Sequence, residues 1–309
     1  MMSVRTDLLL AVLRDTLAAT VNFIMLSTAN QEVYDPAELH LGDSALVVDK
    51  AAHQIFQANL LAHPGTAKLD IVATVVGEEH PHLPDDIRDG QLLVLLDPAD
   101  GSNQWRCQRA GWCTAGVVVQ RVGDGWRFVT AFCAAPDGRL FLLRDDGSVL
   151  IGSTHNAIMA PFRGPTPPNP TKEHIVAANA YKHASRHLAS PVFDALGDQW
   201  FCLTFAGNPA VMNLLTYDTD VVFNPNPSSV WDTAAVIIAA HTSAVVGSID
   251  GQRWTPCELV ALFGSRVDLN PATCQFVPPY VAAKTEDLYR EVVTAIQTGL
   301  ASESRPTRS

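Results

Sequence analysis

The sequence predicts a mixed α/β fold, and three observations predict it. An apolar stripe at helical spacing opens the chain, at Leu8, Leu9, Val12, Leu13, Leu17, Val21, Ile24 and Met25. Short apolar runs bounded by turn residues follow, the clearest being Leu92 to Leu96. A breaker cluster, Gly164-Pro165-Thr166-Pro167-Pro168-Asn169-Pro170, then separates a strand-rich half from one in which strands and helices alternate. Of the 309 residues, 47% are apolar, which supplies a sizeable core and excludes global disorder.

Taken in order, residues 7–28 read as the first helix and 30–42 as a polar connection. Residues 50–62 read as a second helix, with Asp49 in the position of an N-cap. The β-branched run 71–76 reads as a strand that ends in Gly77-Glu78-Glu79. Adjacent acids on an extended end point to opposite sides, so only one of them faces a shared ligand. His80-Pro81-His82 has the spacing of a metal-binding pair, but no further His-rich motif supports zinc, and a solvated loop is the better reading.

Leu92 to Leu96 reads as a buried strand ending at Asp97, where Pro98 stops ladder pairing and Gly101 supplies a sharp turn. Strands over 115–121 and 126–134 join at Gly123-Asp124-Gly125, and strands over 139–143 and 148–151 join at Asp145-Asp146-Gly147. Beyond the breaker cluster, 175–178, 201–205 and 221–223 read as strands. Residues 191–196 fall within a short helix, and 209–216 and 233–240 form two more. Asp232 stands at the start of the last of these, where capping is the ordinary role of an Asp. Residues 245–251 close in a hairpin-like turn, and a final helix spans 285–300. The chain divides into 1–163, 171–300 and a Ser/Arg/Pro tail, 301–309, expected to be disordered.

Composition excludes several function classes. A net charge of −11 argues against binding a nucleic acid polymer, which needs a basic surface. Six cysteines without a Cys-x-x-Cys pair read as reduced thiols of a cytoplasmic protein. No apolar run reaches the roughly 20 residues of a membrane helix. Asp7 precedes the apolar segment, so the N-terminus reads as a helix start and not as a signal peptide. No membrane partner is expected.

The chemistry concentrates in Leu95-Leu96-Asp97-Pro98-Ala99-Asp100-Gly101-Ser102-Asn103. Two carboxylates three residues apart, emerging at a strand end, suit a hard cation such as Mg²⁺. The backbone N–H groups after Gly101 suit a phosphate. The stretch resembles the first motif of the inositol monophosphatase / fructose-1,6-bisphosphatase superfamily, Asp-Pro-(Ile/Leu)-Asp-Gly-(Thr/Ser). Gly77-Glu78-Glu79 lies upstream, with Glu78 19 positions before Asp97, and Trp231-Asp232-Thr233-Ala234-Ala235 is similar to the second motif. Asp43 and Asp49 match a further segment, Asp-x-x-Thr-x-x-Asp, in which Leu46 replaces Thr. The order and spacing of these pieces carry the resemblance from about residue 5 to about residue 260.

The resemblance implies a layered αβαβα sandwich of the inositol monophosphatase / sugar phosphatase type. The N-terminal α+β part would carry most metal ligands, and the C-terminal α/β part Asp232 and much of the substrate pocket. It implies an enzyme, a metal-dependent phosphoric monoester hydrolase acting on a small phosphorylated metabolite through metal-activated water. Two or three Mg²⁺ ions, or Mn²⁺, would be held by Glu78, Asp97, the Ala99 carbonyl, Asp100 and Asp232. Asp49, Ser102 and Glu78 would serve the attacking water. Gly101, Ser102, Asn103, Gly207, Asn208, Asn224 and Asp232 would line the phosphate and substrate site. Asn224 stands where the inositol enzymes carry a Glu, which removes a charge from the ring-hydroxyl contact. Lys182 and Arg186, in the most basic stretch of the chain, are either a solvated helix face or contacts to a second anion. Relatives are commonly homodimers, so the resemblance implies one here. The alternative from another class is a family member of weak catalysis that binds a phosphometabolite as a regulator.

Overall fold

The structure, a computed structural model, describes residues 2–27, 47–78, 80–102, 111–180, 183–216, 219–265 and 276–303. Two helices come first, α1 (Met2–Leu26) and α2 (Val47–Ala62). Seven strands follow: β1 (Val76–Gly77), β2 (Leu92–Asp100), β3 (Cys113–Val122), β4 (Gly125–Ala134), β5 (Arg139–Leu143), β6 (Val149–Ser153) and β7 (Asn156–Phe162). They form one sheet in chain order, with β1 parallel to β2 and every later neighbour antiparallel. The next elements are β8 (His174–Ala178), α3 (His183–Leu196), β9 (Trp200–Thr204), α4 (Gly207–Thr216) and β10 (Val221–Asn224). A 3-10 turn (Trp231–Thr233) leads into α5 (Ala234–Ala240), then β11 (Val245–Ser248), α6 (Pro256–Ser265), β12 (Tyr280–Ala283) and α7 (Glu286–Glu303). The second sheet has the order β11-β12-β10-β8-β9, with β8 parallel to both β10 and β9.

The layering follows from period-2 alternation on strands that are covered on both faces. On β2, Leu92, Val94 and Leu96 join the core under α1 and α2, whereas Leu93 and Leu95 face the opposite way. On β10, Val222 faces the same interior as Leu93 and Leu95, and Val221 and Phe223 face outward onto α3 and α7. Between the sheets lie α4, α5 and α6. All seven residues of α5, Ala-Ala-Val-Ile-Ile-Ala-Ala, are buried, as suits a helix enclosed on every side. The result is five layers: α1 and α2, the first sheet, the central helices, the second sheet, then α3 and α7. This is the αβαβα sandwich the resemblance implies.

Several elements differ from the sequence expectations. The segment 71–76 is a strand only at Val76, apart from one bridge between Ile71 and Leu92. Val72 N–H still bonds to Leu92 O, but at Val75 the backbone is held by α2 side chains instead of a ladder. Val75 N–H donates to Gln57 Oε1 at 2.9 Å, and Val75 O pairs with His53 Nε2 at 3.0 Å. β7, α6 and β12 have no counterpart in the sequence reading. β7 contains Pro161 and sits at the sheet edge, where a missing N–H is tolerated. Helix α7 runs to Glu303, into the stretch expected as tail. α2 starts at Val47, so Asp49 lies inside its first turn and does not precede it.

The expectation that no apolar stretch is long enough to span a bilayer also needs correction. Within α1, Arg5–Leu26 has that length and composition, but half of it is buried within the protein. Leu9, Val12, Leu13, Leu17, Val21 and Ile24 form one face of the core that covers the first sheet.

Candidate metal-binding site

β2 does not stop at Asp97. It continues through Pro98 to Asp100, with a shift in its pairing to β3. Asp97 lies opposite Ala115 and Asp100 opposite Cys113, so three steps on β2 match two on β3. In a regular strand, residues three apart point to opposite faces. The extra residue of the bulge puts both carboxylates on the face that looks toward the central helices. Two hydrogen bonds fix it: Ala99 N–H donates to Asp97 Oδ1 at 3.1 Å, and Thr114 Oγ1 donates to Pro98 O at 2.7 Å. Gly101 then turns the chain with φ +87°, a value that favours glycine.

The third carboxylate arrives from the other half of the sequence. Asp232 sits at the kink between the 3-10 turn and α5, with φ −88° and ψ 17°. The N-cap of that helix is Thr233 and not Asp232. Instead, Ser229 Oγ donates to Asp232 Oδ2 at 2.9 Å. Oxygens of Asp97, Asp100 and Asp232 all lie within 4.8 Å of one another, with Asp97 and Asp100 buried. Burial, and next the charge of Asp232, hold the Asp100 carboxyl well above the usual carboxylate range. The backbone N–H of Asn208 opposes this shift by donating to Asp100 Oδ2 at 2.7 Å.

Three carboxylates this close, with oxygen as the sole donor type and Asp100 resisting ionisation beside the others, fit a hard divalent cation. The neighbouring thiols do not alter the donor set. Burial pushes Cys113 and Cys133 well above the usual thiol range and keeps them protonated.

The other residues named from the sequence take varied places. Glu78 stands exposed in a tight turn closed by reciprocal backbone bonds between Gly77 and His80. It lies outside the three-acid group, although its charge still acts on Asp100. Ala99 is buried in the bulge, and Gly101 and Ser102 are half-buried, Ser102 in helical conformation. Asp49 is buried on α2, the helix packed against β2. A Cβ at Gly207 would lie 3.4 Å from Asp232 Cβ and 3.6 Å from Asp100 Oδ2, so this residue borders the acids closely.

The two asparagines expected at the substrate have other engagements. Asn208 is fully buried; its Nδ2 donates to Trp231 O at 3.1 Å and its Oδ1 accepts from Ala235 N–H at 2.9 Å. It joins α4 to the turn that carries Asp232. Asn224 is also buried, donating to Ser228 Oγ at 2.6 Å and accepting from Asn226 N–H at 3.2 Å, which closes the turn after β10. Arg186 is exposed on α3. Asp43, Glu79, Asn103 and Lys182 lie outside the described residues.

The structure adds residues that carry no signal in the sequence. Asn179, just past β8, has its Nδ2 3.5 Å from where a Gly207 Cβ would be. Ser229 also borders the acids, and the charges of Asp232 and Asp100 reach the buried Tyr280.

His53 is buried against the turn that carries Glu78. It is 1% exposed, packs 4.7 Å from the His80 ring and abuts Gly77. Burial, then the neighbouring His80, lower its pKa from 6.5 to about 4, against a raising contribution from the Val75 hydrogen bond. Between these two values the unfolded chain binds a proton that the folded chain refuses. Stability therefore falls as pH drops from 6.5 to 4 and is flat below that window on this account. The loss attributable to His53 reaches about 3 kcal/mol. Urea midpoints across this range are expected to decline more steeply for the wild type than for His53→Gln.

No family model and no curated protein sequence matches the chain. Solved structures do. The chain superposes on the IMPase of Thermotoga maritima with a TM-score of 0.64, over 94% of this chain and 96% of that one, at 11% identity. Against the extragenic suppressor protein SuhB from Bartonella henselae the TM-score is 0.62, over 95% and 98%, at 14% identity. Against CysQ from Bacteroides thetaiotaomicron, a bacterial member of the inositol monophosphatase family, it is 0.54, over 93% and 100%, at 15% identity. The likeness runs through nearly the whole of each chain, with both sheets and the helices between them, and gives this protein the fold of the inositol monophosphatase superfamily.

Proposed function

We propose that the protein is a Mg²⁺-dependent phosphatase that hydrolyses a phosphate monoester of a small metabolite, with Mn²⁺ as an alternative ion. The observation that carries this reading is the convergence of Asp97, Asp100 and Asp232 at one point of an inositol monophosphatase fold. When bound, a divalent ion supplies Lewis-acid polarisation of phosphoryl oxygens and a lowered pKa for water.

The residues of the chain do the rest. Asp97, Asp100 and Asp232 hold the cation. The Asn208 N–H and the Ser229 hydroxyl fix the orientation of Asp100 and Asp232. The turn at Gly101 and Ser102 presents backbone N–H groups to a phosphate, the role a helix start performs well. Asp49, buried on α2, and the Ser102 hydroxyl take the proton-handling role for the attacking water. Glu78, exposed in the turn after β1, adds its carboxylate to this set.

Phosphate release from a substrate panel, with and without Mg²⁺, tests the proposal. The panel holds inositol 1-phosphate, fructose 1,6-bisphosphate, 3′-phosphoadenosine 5′-phosphate, histidinol phosphate and sugar monophosphates. Mg²⁺-dependent turnover of one class well above the others supports it. Release that is independent of divalent ions contradicts it.

A further inference from the structure

We propose that Asn179 is a substrate-binding residue, its side-chain amide pairing with a hydroxyl group carried beside the ester carbon of the phosphate monoester, so that the site selects hydroxylated esters over plain alkyl ones. The inference rests on the phosphatase reading above. Three observations carry it.

The first is topology. Asn179 is the first residue past β8, and its backbone N–H donates to Phe223 O of β10 at 3.0 Å. β8 lies between β9 and β10 and is parallel to both. The chain leaves β8 for α3 on the outer face, and leaves β10 for the 3-10 turn and α5 on the inner face. Adjacent parallel strands whose continuations part to opposite faces open a crevice at their carboxyl ends, where α/β sheets bind ligands. Asn179 comes from the first continuation and Asp232 from the second.

The second is convergence. Gly207 opens α4, and the point where its Cβ would stand lies 3.5 Å from Asn179 Nδ2, 3.6 Å from Asp100 Oδ2 and 3.4 Å from Asp232 Cβ. These are ordinary contact distances, and Gly207 does not adopt a positive φ, so neither crowding nor backbone conformation demands glycine there. Its effect is a gap bordered by the amide and by two of the acids. Glycine also lets a backbone approach a ligand closely.

The third is chemistry. Asn208 and Asn224 spend their amides on turns, whereas the half-buried Asn179 side chain makes no hydrogen bond among the described residues. An amide offers a donor and an acceptor together, which matches a hydroxyl, and it carries no charge for an anion. On the phosphatase reading the cation and the acids hold the phosphoryl group, which leaves the amide for the alcohol. A site built to hydrogen-bond a substrate hydroxyl rejects the analogue that lacks it.

Glycerol 2-phosphate and isopropyl phosphate share one carbon skeleton, and only the first has hydroxyls beside the ester carbon. The measurements are kcat/KM for both esters in Mg²⁺, with melting temperatures, on wild type, Asn179→Leu and Asn179→Ala. The wild type is expected to favour glycerol 2-phosphate about three- to tenfold, the size of one hydrogen bond. Both variants are expected to lose that preference by slowing on glycerol 2-phosphate alone, at an unchanged melting temperature. A wild type that treats the two esters alike overturns the inference and leaves the proposed function intact. Variants that keep the wild-type preference, or that lose activity equally on both esters, also overturn it, since the side chain would then serve packing or the phosphoryl group. A wild type without Mg²⁺-dependent phosphate release overturns the proposed function, and the inference with it.

Discussion

Asp100→Asn is expected to lower Mg²⁺-dependent phosphate release by on the order of a thousandfold or more, while leaving the metal-free protein as stable as the wild type or more so. Losing a group that merely orients a ligand typically costs 10- to 100-fold, and losing the ligand itself costs more. The stability expectation has the opposite sign for a separate reason. The folded protein resists ionising Asp100, so its pKa lies well above the ordinary 3.8. As pH rises above 3.8, the unfolded chain releases a proton that the folded chain retains, and metal-free stability falls up to the folded pKa. Asparagine removes that slope, and its Oδ1 can still accept the Asn208 N–H. Melting curves at several pH values, alongside phosphate release, check both halves. In the wild type, added Mg²⁺ is expected to reverse the pH-dependent loss by binding the ionised form. A variant that loses activity and stability together would mark Asp100 as a structural residue.

The second large effect lies far from the acids, at the other end of the second sheet. Asp220 and Lys284 pair at 3.1 Å, and their side chains are only 7% and 5% exposed. Asp220 Oδ2 also accepts from Ile175 N–H at 3.1 Å and lies 3.5 Å from His174 Nδ1. The pair ties together the starts of β8 and β10 and the end of β12. Asp220→Asn removes a buried charge partner of the Lys284 ammonium, and breaking such a pair costs about 3–5 kcal/mol. Lys284→Met is expected to cost less, because Asp220 keeps the Ile175 N–H and His174. Urea denaturation of the two variants gives the ranking. Phosphate release per folded molecule is expected to be unchanged in both, since neither group touches the acidic site.

The sequence was most legible where one interaction dominates each residue. The apolar run of β2 is such a case, because burial on both faces decides every position. So are Asp97, Asp100 and Asp232, whose local contexts are distinctive enough to be read together before their distances are known. Legibility failed where partners come from afar. Val75 reads as strand, yet its backbone is held by His53 and Gln57 of α2, which no local pattern reveals. Pro98 reads as a stop, but a bulge carries the strand through it, and that bulge brings the two acids onto one face. Asn208 and Asn224, read as substrate contacts, also fasten turns through their amides, a role that no local pattern reveals. Asn179 lacks any local signature, because only the packing of distant segments places it beside Gly207 and the acids.

The most direct test of the central claim is anomalous diffraction from crystals soaked in Mn²⁺. The account predicts a peak enclosed by the carboxylates of Asp97, Asp100 and Asp232, absent in Asp100→Asn. Ordered density for all three side chains without a peak among them, or a peak only at His80 and His82, would contradict it.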